Sequence, residues 1–156
     1  MENQYILYYD LAKEGFNFID PIVGLIIAIL VSTVFYFFRK VSFLFFPLSI
    51  VSMIIGVLTF SIDMLVYKDY LYLKKLLLTN QYKIMEGRPE RFLYLAQGGH
   101  GKESFYLNGI KFEYADNLNP NLGFHRTVAY GGPIKEGVYI KICYYNNHIL
   151  KLEIRK

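Results

Sequence analysis

Two uninterrupted apolar stretches, residues 21–38 and 41–62, constrain this chain more than any other feature. After Pro21 the first reads IVGLIIAILVSTVFYFF; the second reads VSFLFFPLSIVSMIIGVLTFSI, and only Arg39 and Lys40 separate them. Each is close to the roughly 20 residues with which an α-helix crosses about 30 Å of hydrocarbon. In a chain of 156 residues too little sequence remains to wrap two such segments as buried core helices. A cleaved signal peptide would need a basic stretch ahead of the first run, whereas residues 1–20 set Lys13 against Glu2, Asp10, Glu14 and Asp20. The expectation is a membrane α-helical hairpin of two transmembrane helices over residues 18–66, retained in the mature protein. Asp20-Pro21 reads as its start, with Asp as N-cap and Pro at the first helical position.

Gly24, Ala28 and Ser32 recur every four residues along the first helix, and Ser49, Ser52, Gly56 and Thr59 follow spacings of three and four along the second. Lipid tails are as apolar as Leu, so helices in a bilayer associate through close packing of small residues and through hydroxyl hydrogen bonds. Gly24, Ala28, Ser32, Ser52 and Gly56 are therefore the candidate helix-packing residues, either within one hairpin or between copies in a homo-oligomer. No Asp, Glu, Lys, Arg or His lies inside either span, which argues against a charged conduction pathway through a single subunit.

Two crossings place both termini on one side. Lys13, Lys68, Lys74 and Lys75 flank the terminal side against Arg39 and Lys40 in the turn, so the positive-inside rule favours cytoplasmic termini in a bacterial inner membrane. Residues 1–17, with Tyr5, Tyr8 and Tyr9, read as an interfacial segment. Residues 67–80, with Tyr67, Tyr70, Tyr72 and three lysines, read as a juxtamembrane stalk, either a helical continuation or a passive linker.

From residue 81 the pattern changes to period two. One strand begins at Tyr82, bends at Gly87-Arg88-Pro89 and resumes through Phe92; another leads into Asn108-Gly109, a strong hairpin signal, and returns through Ile110, Phe112 and Tyr114. Val138 to Tyr144 alternates again, Asn146-Asn147 turns the chain, and Leu150, Leu152 and Ile154 alternate with charged residues. Residues 81–156 thus read as a small all-β domain of about five strands, an OB-like or β-roll barrel. From residue 67 onward 14 Lys or Arg face 8 Asp or Glu, so this part carries +6. A basic module beside a bilayer suits anionic headgroups or nucleotides, although a charged solvated surface has the same composition.

Chemistry is sparse. Cys143 sits mid-strand in an apolar alternation and reads as a packing residue. His100, His125 and His148 fall in three separate loops without metal-ligand spacing, so neither a metal site nor a cofactor is expected. No pair of carboxylates stands out as acid and base, and no enzyme is expected. The Gly-rich loop 97–102 has no helix after it to hold phosphate. The long excursion 116–137 is richer: His125, Arg126, Tyr130 and Lys135 are the candidate ligand-binding residues, with Tyr to stack a base and Arg and Lys to meet phosphate. A loop that packs over the domain or makes a subunit contact would have the same features.

Two N-terminal apolar helices, a short stalk and a small β-domain together resemble the two-helix-plus-β-barrel membrane effectors of bacterial antiphage signalling. That resemblance is one of architecture, and no residue role is carried over from it. It implies a non-enzymatic protein whose β-domain senses a cyclic nucleotide or another anionic ligand and promotes oligomerisation of the hairpins to perturb the membrane. The alternative is an interaction module that docks an accessory protein at the bilayer.

Overall fold

A computed structural model describes residues 5–94, 101–116 and 122–156. The chain divides into two compact units, one formed by residues 16–68 and the other by residues 1–15 together with 69–156.

The helical unit contains α1 (Ile19–Phe37), a short 3₁₀ turn over Phe38–Lys40, and the greater part of α2 (Phe45–Leu78). Both helices are long and apolar enough to cross a membrane, and their apolar side chains stand mostly exposed. A water-soluble core helix would bury them. The cap of α1 differs from the sequence expectation. The helix begins before Asp20, with Phe18 at the N-cap and no side-chain cap, and one residue outside it the side-chain oxygen of Asn17 accepts the Ile19 amide at 2.9 Å. Asp20 lies in the first turn, held by the Asn17 side-chain amide at 2.9 Å. At the turn, the Arg39 guanidinium lies 4.0 Å from the centre of the Tyr36 ring, which keeps one face of that cation out of water.

Within this unit the small residues pack α1 on α2. The Ser32 hydroxyl donates to the Ser49 carbonyl at 2.8 Å and the Ser52 hydroxyl to the Ala28 carbonyl at 3.2 Å. Gly56 lies so close to Ala28 that a β-carbon there would collide with the Ala28 side chain. Gly24 differs, with open space where its β-carbon would be. An apolar groove of about 370 Å³ runs between the helices, lined by Gly24, Val31, Phe35, Val51 and Ile55 among others.

Among its described residues the second unit contains seven strands: β1 (Tyr5–Asp10), β2 (Lys83–Gly87), β3 (Glu90–Leu93), β4 (Glu103–Leu107), β5 (Ile110–Tyr114), β6 (Ile140–Tyr145) and β7 (His148–Arg155). They form a four-stranded antiparallel sheet, β1-β7-β6-β2, and a three-stranded antiparallel sheet, β3-β4-β5. Among the described residues no pairing closes these into a barrel, and there are two strands more than the expectation of about five. One extra strand arises because the bend at Gly87-Arg88-Pro89 moves the chain from one sheet to the other: β2 pairs with β6 and β3 with β4. The other is β1, from the segment expected at the membrane interface. It pairs with β7 from Tyr5 opposite Arg155 to Asp10 opposite Lys151.

The core lies between the sheets. Phe105, Leu107, Phe112, Ile140, Ile142, Leu150 and Leu152 are fully buried, and Phe112 meets Tyr144 of the other sheet edge to face at 5.2 Å. Each such side chain contributes about 1.5–3 kcal/mol through removal from water. The last turns of α2 belong to this unit. Tyr70, Leu73, Leu76 and Leu77 are buried at helical spacing, and the Tyr70 hydroxyl donates to the Glu14 carbonyl at 2.6 Å. The expected stalk is therefore a packed helix end.

Candidate functional site

The β4–β5 hairpin turns at Asn108 and Gly109, both with positive φ, and the β6–β7 hairpin turns at Asn146 and Asn147, also with positive φ. Two-residue turns of this kind match the twist of the strands they join, and Asn and Gly tolerate the left-handed conformation. The period-two alternation of β5 then sets Phe112 and Tyr114 into the core and leaves Lys111 and Glu113 exposed. A third piece of chain, residues 122–125, runs beside β7, with the Phe124 amide donating to the Ile149 carbonyl at 2.9 Å. Gly123, at φ +134°, permits this approach; a β-carbon there would stand 2.9 Å from the Ile149 carbonyl oxygen.

These three pieces enclose a groove of about 590 Å³, within the range of small-molecule sites. Its polar lining is Lys102, Lys111, Glu113, His125, Asn146, Asn147 and His148. Two lysines converge on one carboxylate. The Lys111 ammonium lies 2.6 Å from one oxygen of Glu113, and the Lys102 ammonium lies 3.5 Å from the other. The hydrogen bond from Lys111, followed by its charge, holds the Glu113 carboxyl below its ordinary range, and the same contact raises Lys111 above the ordinary lysine value. The Nδ1 atom of His125 is buried without a hydrogen-bond partner among the described residues.

Two acidic side chains, Asp116 half-buried and Glu103 fully buried, hold the segment that carries His125. Asp116 accepts the Thr127 amide at 3.0 Å and also the Thr127 hydroxyl, and Thr127 is fully buried. Glu103, fully buried at the start of β4, accepts the Val128 amide at 2.9 Å. On the other side of His125, Phe124 packs edge to face on Tyr8 and Tyr9 and tilted against Tyr114. Beyond Val128 the chain turns so tightly that the Gly132 amide donates to the Thr127 carbonyl at 2.7 Å, and a β-carbon at Gly132 would strike the carbonyls of Arg126 and Thr127.

Of the four ligand-binding candidates, the structure brings only His125 to the groove. Arg126, Tyr130 and Lys135 are exposed and line none of it. The excursion does not gather these side chains around one point, because its clasped backbone and the buried Ile134 turn them outward. Residues 95–100 and 117–121 lie outside the described residues, so the Gly-rich loop with His100 and part of the excursion are not placed. Lys102, Lys111 and His148 were missed. The hairpin signals at Asn108-Gly109 and Asn146-Asn147 were the available clue, since they fix which residues stand at the strand ends. Cys143 is buried, and burial pushes its thiol above the ordinary value, as for a packing residue. Among the described residues no three His, Cys, Asp or Glu side chains gather as a metal site would require.

No protein-family model, curated protein or solved structure matches this chain.

Proposed function

We propose that this chain is a non-enzymatic membrane receptor: the two apolar helices anchor it in a bilayer, the groove between β5, residues 122–125 and the β6–β7 turn takes an anionic ligand, and occupancy promotes clustering of the hairpins. The observation that carries this reading is the convergence of Lys102 and Lys111 in a groove of ligand size that also holds His125 and His148. A paired cationic site in a concave surface focuses field and favours an anion. The open surface at Gly24 beside an apolar groove is the natural place for helix contact between copies, whereas Gly56 is used within the hairpin. In a bacterial inner membrane such clustering would perturb the bilayer, in keeping with the architectural resemblance to antiphage effectors. A cytoplasmic position of the β-unit agrees with the excess of lysines on the terminal side of the hairpin.

The test is membrane potential and growth in bacterial cells that express the full chain, beside Lys102→Ala/Lys111→Ala and Gly24→Leu. The expected result is depolarisation by the unaltered chain and its loss in both variants at equal protein level. Depolarisation that survives the double lysine change would remove the groove from the mechanism. No depolarisation by any form, with a partner protein retained on the β-unit in detergent, would favour the docking-module reading instead.

A further inference from the structure

The proposal here rests on the receptor reading above and concerns what the groove selects and what keeps it shut. Glu113 gives one oxygen to each lysine, Lys111 at 2.6 Å and Lys102 at 3.5 Å. That is the arrangement in which an oxyanion bridges two cations, and the carboxylate occupies it. All three side chains are substantially exposed, at 53% for Lys102, 45% for Lys111 and 40% for Glu113. Exposed ion pairs of this sort contribute little to folding and are exchanged readily. Nothing structural depends on Glu113, then, since its neighbours Phe112 and Tyr114 already fix the strand in the core.

We infer that Glu113 is a built-in competitor, holding the two lysines until a ligand phosphate with more than one negative charge displaces it, and that the groove thereby selects dianionic phosphate over monoanionic ligands. A carboxylate or a phosphodiester brings one charge, no more than Glu113 supplies from within the chain. A terminal phosphate or pyrophosphate brings close to two charges and three acceptor oxygens, and so outcompetes it. Asn146 and Asn147 at the β6–β7 turn and His125 and His148 beside them supply further polar contacts for the rest of such a molecule. Displacement also frees the Glu113 carboxylate from the two lysines toward solvent, so occupancy replaces the one internal charge that partly offsets the two cations with a bound dianion.

The experiment uses the full chain in nanodiscs of zwitterionic lipid, with inorganic pyrophosphate as the probe and titration calorimetry at low salt as the readout. A second set of discs carries phosphatidic acid, so that a terminal phosphate offered by a lipid headgroup is told from one in solution by its competition with pyrophosphate. Glu113→Gln keeps the side chain's shape and removes its charge; it should tighten pyrophosphate binding by about three- to tenfold, as expected for loss of one competing charge at the surface. It should also let acetate bind, which the unaltered chain excludes. Lys111→Ala should weaken pyrophosphate at least about tenfold with or without the Glu113 change, and thermal unfolding of each variant checks that the fold is intact. Pyrophosphate binding that Glu113→Gln leaves unchanged or weakens would overturn the competitor role and leave the groove as the ligand site. Absence of pyrophosphate binding in every form, Glu113→Gln included, would overturn the receptor reading as well.

Discussion

At Tyr9 a phenol oxygen is buried with no hydrogen-bond partner among the described residues, against Phe124 on the inner side of β1. A buried hydroxyl in that state stabilises nothing by itself, and burial raises its pKa well above the ordinary tyrosine value, helped by the carboxylate of Glu14. The folded chain therefore keeps the proton where the unfolded chain releases it. Stability is unaffected below the ordinary value near about 10 and falls as pH rises beyond it. Tyr9→Phe should leave the thermal midpoint at neutral pH unchanged or slightly raised, and should flatten the decline between about pH 10 and 12, measured by unfolding in detergent. The clasp on the excursion behaves in the opposite way, because its groups are paired. Asp116→Ala would leave the buried Thr127 amide and hydroxyl unsatisfied, at a cost of about 1–3 kcal/mol, and should expose the 122–137 segment to limited proteolysis. If proteolysis is unaltered, the segment is held by Glu103 and Phe124 instead.

Elements follow from sequence to the extent that their causes are local. The apolar runs, the two Asn-containing hairpins and the alternation of β5, β6 and β7 are local patterns, and all were legible. The strand β1 was not, because what makes Tyr5–Asp10 a strand is the free edge of β7, nearly the whole chain away. The groove was legible only at His125 for the same reason: Lys102 and Lys111 come from the β4–β5 hairpin and His148 from the β6–β7 hairpin, and no sequence spacing connects one hairpin with the other. The small-residue stripes looked uniform in sequence, yet packing separates them. Gly56 abuts Ala28, whereas Gly24 faces open space. Gly56→Leu should therefore disrupt the hairpin itself and lower the unfolding temperature of the monomer in detergent by several degrees, an overpacking cost of about 1–3 kcal/mol. Gly24→Leu should leave that temperature unchanged and alter only the association of copies, read by cross-linking in membranes. Equal destabilisation by both would mean that the stripe has one role throughout.

Because β1 and β7 are adjacent strands, the two ends of the chain belong to one folded unit, and the hairpin is an excursion from it between Gly15 and Asp69. Such an insertion must leave the unit and return to it, so the proposed membrane anchoring requires an even number of crossings, which two apolar helices would supply. The same connectivity means that residues 69–156 alone are an incomplete unit. They keep β6 on one edge of β7 but lack β1 on the other, together with the fully buried Leu11 and the buried Tyr9. Loss of those two side chains and the β1 ladder should cost about 5 kcal/mol, comparable with the whole stability of a small domain. The Tyr70 hydroxyl reaches the Glu14 carbonyl at 2.6 Å, so the two ends of the excursion lie close enough to be joined directly. Residues 1–15 connected to residues 69–156 through about four Gly and Ser residues should therefore fold without the hairpin and give a dispersed amide spectrum, whereas residues 69–156 alone should not. If the shorter piece folds equally well, β1 is an accessory edge and the requirement for paired crossings falls with it. If only the joined form folds, the receptor unit is one that cannot form until the second helix has returned the chain to the side on which it began, which ties folding of the groove to completed insertion of the hairpin.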